Sequence, residues 1–500
     1  MKLYNMLPLA FLILGATQCS RPKPVLHEPL PNETAAAIPA KTASTDFSFG
    51  YSAVGFPYLL ETHKNETCFN EIYREISPKL LRFPGGTIAN FYHPDGPGYG
   101  FLQKDIDLIK GRQIDGLMSK QLAKQEKLAP DTENFLHSFI EYIEGSKTAV
   151  ILVANVYTGT VEECLFMIET FQKAGIEIKG IELGNELYMK AYENRIASGE
   201  SYWQSIIPFK DAINKKHPEI PTGVVLAPTT WHKETSSSKE AKYGDWNTYL
   251  ASQKGYDAVI THIYPRVKCK DEDMADNYAC AKKKLQRFVK TDLVSIYQIF
   301  TDQFPEKSIW ITEWNIRNAN DAYGNSFLQA SFITDFMNRS FDFSQRSGTD
   351  MLLTYHNLSG GKGGAGNTMF SEVKKSERND CAVQRRAAHF MFAQLEDCYD
   401  MLDSISTQKR EGIREINYYG SAGPQHLIIA GDSLGKVDRT MTNFKRNNCT
   451  TLSFENGYSG NGPVTGAENE ATQIKREQVN YTFKESGLVP FQILHIKSSK

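Results

Sequence analysis

The sequence predicts an α/β chain, a (β/α)8 barrel followed by a C-terminal antiparallel β-sandwich. Eight short, near-continuous apolar runs alternate with amphipathic segments between residues 46 and 380, the pattern of a parallel sheet buried on both faces. No Gly-x-Gly-x-x-Gly follows any of these runs, which argues against an open doubly wound sheet. After about residue 379 the texture changes to short alternating runs separated by Gly, Asn and Ser turns, the pattern of an antiparallel sandwich.

Residues 1–19 read as a lipoprotein signal peptide. Lys2 gives a positive start, the apolar stretch 7–15 is too short to span a bilayer, and the run ends at Ala16-Thr17-Gln18-Cys19-Ser20. A small residue three positions before a cysteine resembles the lipobox of bacterial lipoproteins, which implies lipidation at Cys19. Gln18 departs from that pattern, and an ordinary cleaved signal peptide is the alternative. Either reading exports the protein, to the outer membrane or cell surface if lipidated and otherwise to the periplasm. Residues 20–45, rich in Pro, Ala, Thr and Lys, read as a tether.

The barrel, residues 46–380, has candidate strands at 47–54, 80–83, 148–155, 180–184, 223–227, 258–262, 308–313 and 351–356. Amphipathic helices are expected at 160–174, 205–216, 293–303 and 327–341. Residues 95–131 read as an insertion after the second strand. The glycine-rich stretch 359–366 lacks a phosphate-binding pattern and reads as a cleft-side loop. The last domain, 381–500, begins with a helix at 382–395, followed by strands at 425–429, 451–454, 479–483 and 491–496.

A formal net charge of −2 gives no reason to expect nucleic acid or an anionic membrane surface as a partner, so the lipid at Cys19 is the only membrane link expected. Of the eight cysteines, seven remain after Cys19, an odd number, and Cys269 and Cys280 are the best disulfide pair. No Cys-x-x-Cys or Cys/His cluster occurs, so no zinc or other metal is expected, and the hydrolytic reading of the acidic residues below needs no cofactor.

Two acidic residues stand out by position. In Ile181-Glu182-Leu183-Gly184-Asn185-Glu186 the chain leaves the fourth strand and presents Asn185 and Glu186. In Ile309-Trp310-Ile311-Thr312-Glu313-Trp314-Asn315 it leaves the seventh and presents Glu313. The C-terminal ends of barrel strands form one rim, so both carboxylates are expected in one cleft. Retaining hydrolysis of a glycosidic bond needs such a pair, one carboxyl as acid/base and one as nucleophile. Asn155, Trp231, Tyr355 and His356 also fall at strand ends, where they either line a sugar pocket or simply pack.

Asn185-Glu186 and Thr312-Glu313-Trp314 resemble the fourth- and seventh-strand motifs of glycoside hydrolase clan A, the retaining "4/7" barrels. Leu81-Arg82-Phe83-Pro84-Gly85-Gly86 resembles the second-strand motif of family 51 α-L-arabinofuranosidases, and Gly85-Gly86-Thr87 also that of the family 79 heparanases and β-glucuronidases. The family 51 pattern often has Asn directly after Pro-Gly-Gly, whereas here Thr87 follows and Asn90 comes later. The resemblance implies Glu186 as acid/base and Glu313 as nucleophile, with Arg82 on the nucleophile side. It also matches His262-Ile263-Tyr264 to a His-x-Tyr motif in which the Tyr264 hydroxyl donates to Glu313. A glycan substrate follows from it. The competing reading is a non-catalytic surface glycan-binding lipoprotein, and a uronic-acid lyase would want a Tyr/His or Lys base instead.

Overall fold

A computed structural model of the chain describes residues 45–129, 131–228, 237–267, 269, 274–317, 323–360, 368–373, 381–399, 402–410, 413–420, 425–430, 448–454, 474–480 and 492–497. The expected signal peptide with Cys19, nearly all of the expected tether, Trp231 and most of the glycine-rich stretch lie outside these residues.

Eight parallel strands close into a barrel in sequence order: β1 (Phe47–Ser52), β2 (Leu80–Phe83), β3 (Ala149–Val153), β4 (Ile178–Glu182), β5 (Thr222–Val225), β6 (Ala258–Ile263), β7 (Ser308–Trp314) and β8 (Met351–Tyr355). β8 returns to β1 with Met351 opposite Phe47 and Tyr355 opposite Tyr51. Each strand lies within two or three residues of its expected bounds, because runs such as Ala-Val-Ile-Leu-Val can be buried on both faces only inside such a sheet. Trp310 of β7 fills the barrel interior. A Cβ added at Gly180 of β4 would lie 2.2 Å from its ring, and one at Gly223 of β5 2.8 Å, so both neighbours are bare backbone where the indole sits.

Helices cover the barrel, including Val161–Lys173, Gly199–Lys216, Leu293–Gln303 and Phe327–Ser347. Thr160 caps the first of these in a reciprocal capping box with Glu163. The insertion after β2 folds as two short helices, Gln103–Asp107 and Asp115–Gln125. It is pinned by His93, whose two ring nitrogens lie 2.7 Å from Asp105 and 2.7 Å from Glu163. Burial opposes charge on this imidazole, but the two carboxylates outweigh it and its pKa is pushed up to about 9.

Beyond β8 come a small three-stranded sheet of β9 (Ser359–Gly360), β10 (Phe370–Glu372) and β11 (Val383–Arg385), and a helix at Ala387–Tyr399. The β-sandwich-like C-terminal domain then contributes a six-stranded antiparallel sheet. Its strands are β12 (Leu402–Arg410), β13 (Ile413–Gly420), β14 (Gln425–Ala430), β15 (Asn448–Phe454), β16 (Ile474–Asn480) and β17 (Gln492–Lys497), in spatial order 12-13-14-17-15-16. It meets the helix Phe327–Ser347: Arg414 pairs with Asp335, and the Tyr418 hydroxyl donates at 3.1 Å to Asn338, which also accepts at 2.6 Å from Tyr399 of the helix before the sheet.

Three details differ from the sequence expectation. The helix expected at 382–395 starts at Ala387, because residues 383–385 pair as a strand. β12 and β13 were not expected, and β16 lies earlier than 479–483. β12 and β16 are the two edges of the sheet, and edges carry polar, charged sequence such as Ile-Lys-Arg-Glu-Gln-Val-Asn that hides their alternation. In β13 the buried polar residues Glu415 and Asn417 blur it further.

The cysteines expected to pair, Cys269 and Cys280, do so. A second disulfide, Cys68–Cys381, joins the helix Thr67–Ile76 to the chain entering β11, across 313 residues of sequence. Cys164 and Cys398 are buried and belong to neither of these disulfides. No helix among the described residues is long and apolar enough to cross a membrane.

Candidate active site

Four strand ends build one polar cluster at the C-terminal rim of the barrel. Arg82 of β2 is fully buried, and its guanidinium makes four hydrogen bonds of 2.8 Å each. Nε and Nη2 donate to the two oxygens of Glu182, Nη2 also to Asn185 Oδ1, and Nη1 to Glu313 Oε1. Only a planar fork of donors can serve three acceptor groups in this way. Burial would discourage the charge, but Glu182 and Glu313 more than offset it and hold Arg82 protonated above its ordinary range.

Glu313 sits at the end of β7 with its side chain 8% exposed. A register irregularity between β6 and β7 brings His262 directly opposite it, as bulges beside active sites do. Its Oε1 is held by Arg82 and its Oε2 accepts from the Tyr264 hydroxyl at 2.8 Å. His262 Nδ1 and His356 Nδ1 lie 3.5 and 3.6 Å from Oε2. Burial alone would raise its pKa. The charges of His262, His356 and Arg82 and the Tyr264 hydrogen bond overcome that and hold the carboxyl well below the usual range. Burial also pushes His356 below the ordinary histidine range, although Glu313 opposes this.

Glu186 is the more open carboxylate, with its side chain 24% exposed. Its backbone takes a left-handed conformation, φ 47°, which non-glycine residues adopt rarely and mostly where surroundings enforce it. Asn90 enforces it from the neighbouring loop. Its amide clamps the Asn185 peptide from both sides, accepting from Asn185 N at 2.9 Å and donating to Asn185 O at 2.6 Å. Glu186 Oε1 accepts from the Tyr188 hydroxyl at 3.0 Å and lies 3.0 Å from His262 Nδ1. Burial works against charge on His262, yet Glu313 and Glu186 together raise its pKa.

Oxygen atoms of Glu186 and Glu313 and a nitrogen of His262 lie within 4.8 Å of one another. That spacing would suit a metal ion by distance alone. Both oxygens of Glu313 are already engaged by Arg82 and Tyr264, however, and a fixed guanidinium 2.8 Å away repels a second cation.

The structure therefore brings together Arg82, Asn185, Glu186, His262, Tyr264 and Glu313. Two other expected pocket residues sit elsewhere. Tyr355 is fully buried, packed against Trp314 and Phe392, with its hydroxyl accepting from Gln329; it is a core residue. Asn155 spends its amide on Thr158 in the turn after β3 and on the Tyr92 carbonyl of the segment after β2. His356 does reach the cluster, and its buried Nδ1 has no hydrogen-bond partner among the described residues. Glu182, Asn90 and Tyr188 were not anticipated. A signal for Glu182 exists: a carboxylate inside a buried strand needs a cation, and Arg82 is buried in β2, two strands away across β3. Asn90 and Tyr188 leave no comparable trace.

The chain matches no protein-family model and no curated protein in sequence. Among solved structures it is similar to AbfB, a family 51 α-L-arabinofuranosidase from Bifidobacterium longum. The TM-score is 0.58 at 12% identity, covering 90% of this chain and 95% of that one. The family 51 α-L-arabinofuranosidase of Thermotoga petrophila gives 0.54 at 14% identity, covering 91% and 98%. A 4-O-α-L-rhamnosyl-β-D-glucuronidase from Fusarium oxysporum gives 0.51 at 12%, covering 91% and 96%. The fold, barrel and C-terminal sheet domain together, is thus one that glycoside hydrolases of known structure share over nearly their whole length.

Proposed function

We propose that this chain is a retaining glycoside hydrolase that works by double displacement through a covalent glycosyl-enzyme. The observation that carries the reading is the Glu186–Glu313 pair. Its oxygens approach within 4.8 Å, nearer the ~5–5.5 Å carboxyl separation of retaining enzymes than the ~6.5–9.5 Å that leaves room for water in inverting ones. The activities of the structurally similar proteins support the same class.

In this mechanism Glu313, kept ionised by Arg82 and Tyr264, attacks the anomeric carbon, and the C–O bond to the leaving group breaks. Glu186 gives its proton to the departing oxygen. It then takes a proton from water, which attacks the anomeric carbon and releases Glu313. His262, 3.0 Å from Glu186, orients that carboxyl between the two steps. Asn185 Oδ1 is occupied by Arg82, so its NH2 is the end left to donate to a sugar hydroxyl beside the reacting carbon. His356 Nδ1 offers a second contact.

The test is reducing-sugar release from a panel of polysaccharides and aryl glycosides that includes arabinofuranosides, glucuronides, β-glucans and galactans, with Glu313→Ala in parallel. Release by the wild type and none by the variant is expected. Activity surviving in Glu313→Ala would assign the nucleophile elsewhere, and binding without release would indicate a glycan-binding protein. Export as a lipoprotein belongs to the same proposal, supported by the residues before Cys19. Metabolic labelling with a fatty acid that persists in Cys19→Ser would refute it.

A further inference from the structure

We infer that Tyr188 is a positioning residue for the acid/base: its hydroxyl occupies Glu186 Oε1, so that the proton passed to the leaving oxygen travels on Oε2. The inference rests on the hydrolase reading and deepens it. Among the described residues, both polar contacts of the Glu186 carboxyl fall on one atom. The Tyr188 hydroxyl donates to Oε1 at 3.0 Å, and His262 Nδ1 lies 3.0 Å from the same oxygen.

The local chain explains how Tyr188 reaches back. Side chains two apart do not face each other in a helix, and here a tight turn brings them together. Glu186 takes its left-handed conformation, and Met189 N donates to Glu186 O at 3.0 Å. The Tyr188 ring, 6% exposed, is then held edge-on to Tyr243 at 5.4 Å and to Trp246 at 6.4 Å between ring centres. Trp246 stacks on Tyr202 at 5.0 Å and donates Nε1 to Val225 O at 2.9 Å, which anchors this aromatic wall to β5. A ring packed on several sides keeps its hydroxyl aimed in one direction. Burial, and after it the charge of Glu186, hold the phenol well above its ordinary range, so at neutral pH it remains a donor.

A phenol donating to Oε1 favours that oxygen as the acceptor end of the carboxyl and leaves the acidic proton to Oε2. In the first step the Oε2–H bond breaks as the bond from the anomeric carbon to the leaving oxygen breaks, and that oxygen takes the proton. In the second, water gives a proton to Oε2 while its oxygen bonds to the anomeric carbon and the bond to Glu313 breaks. The terminal torsion of a glutamate is broad and two-fold, so without the Tyr188 hydroxyl the carboxyl spends part of its time turned away from the leaving oxygen.

The experiment measures kcat/KM of the wild type, Tyr188→Phe and Glu186→Ala on two aryl glycosides of one sugar, dinitrophenyl and phenyl. Dinitrophenolate departs with little help from a proton, whereas phenolate needs it. Tyr188→Phe is expected to lose about ten-fold on the phenyl glycoside and several-fold less on the dinitrophenyl one. Glu186→Ala, which removes the acid altogether, should show the same selectivity in larger measure. A general loosening of the fold would slow both substrates alike. Uniform loss in Tyr188→Phe, or none, beside a leaving-group-dependent Glu186→Ala overturns this proposal alone. Uniform loss in Glu186→Ala as well, or no turnover of any glycoside by the wild type, sinks the hydrolase assignment and takes this proposal with it.

Discussion

Replacing Tyr264 with phenylalanine removes one hydroxyl and nothing else from the wall of the cleft. Glu313 has two direct donors, Arg82 Nη1 on Oε1 and Tyr264 on Oε2, both at 2.8 Å, with the two histidines at 3.5 and 3.6 Å too distant to replace the phenol. A hydrogen bond to a charged group is worth about 1.5–3 kcal/mol, which converts to roughly 10- to 150-fold in rate if the interaction matters in the transition state. The same loss moves the Glu313 pKa upward. The sign is fixed by direction: a carboxyl held below its ordinary pKa is stabilised as the anion, so removing a donor moves it up. The acid limb of kcat/KM should shift to higher pH in Tyr264→Phe. Steady-state rates on an aryl glycoside between pH 3 and pH 8 give both readouts, in buffers of roughly constant ionic strength because surface terms are screened over about 10 Å at 0.1 M salt. A variant with wild-type kcat/KM and an unmoved acid limb would mean that the Tyr264 contact does not act on the reacting carboxylate.

Arg82→Lys keeps the charge but offers one nitrogen in place of a fork that makes four bonds. It should cost about 3 kcal/mol of stability, read as a lower chemical denaturation midpoint, together with most of the activity. The His93 clamp gives a pH signature. Its folded pKa of about 9 exceeds the roughly 6.5 of a free histidine, so its stabilisation is full below pH ~6.5 and lost as pH rises through 9. The melting-temperature gap between wild type and His93→Asn should accordingly narrow from pH 6 to pH 10, and a constant gap would rule the clamp out. Paired Cys68→Ser and Cys381→Ser substitutions remove a cross-link over 313 residues and should lower stability by about 2–5 kcal/mol under oxidising conditions, with no difference from wild type once both are reduced.

All eight barrel strands were legible from residue patterns, because a fully buried parallel strand must be apolar along its whole length and tolerates few interruptions. The interruptions proved as informative as the pattern. Arg82, Glu182 and Glu313 are charges inside such strands, and each is placed where another can neutralise it. Glu186 and Glu313 could be named as a pair only because strand ends share a rim. Two other matters depended on folding. Tyr355 and Asn155 sit at strand ends like the site residues, yet one turns into the core and the other into its own turn. Position in sequence does not say which way a side chain points.

By itself, then, the sequence determined the barrel, the strand that carries each candidate group and the chemical type of that group, all of which follow from local periodicity and from residues adjacent in the chain. Tertiary structure alone decided the rest. It set the 4.8 Å approach of three groups, the sharing of Arg82 between Glu182 and Glu313, and the Asn90 clamp on the Asn185 peptide. Most of these contacts join residues tens to hundreds of positions apart. Their strength depends on distance and burial, and neither is defined until the sheet has closed.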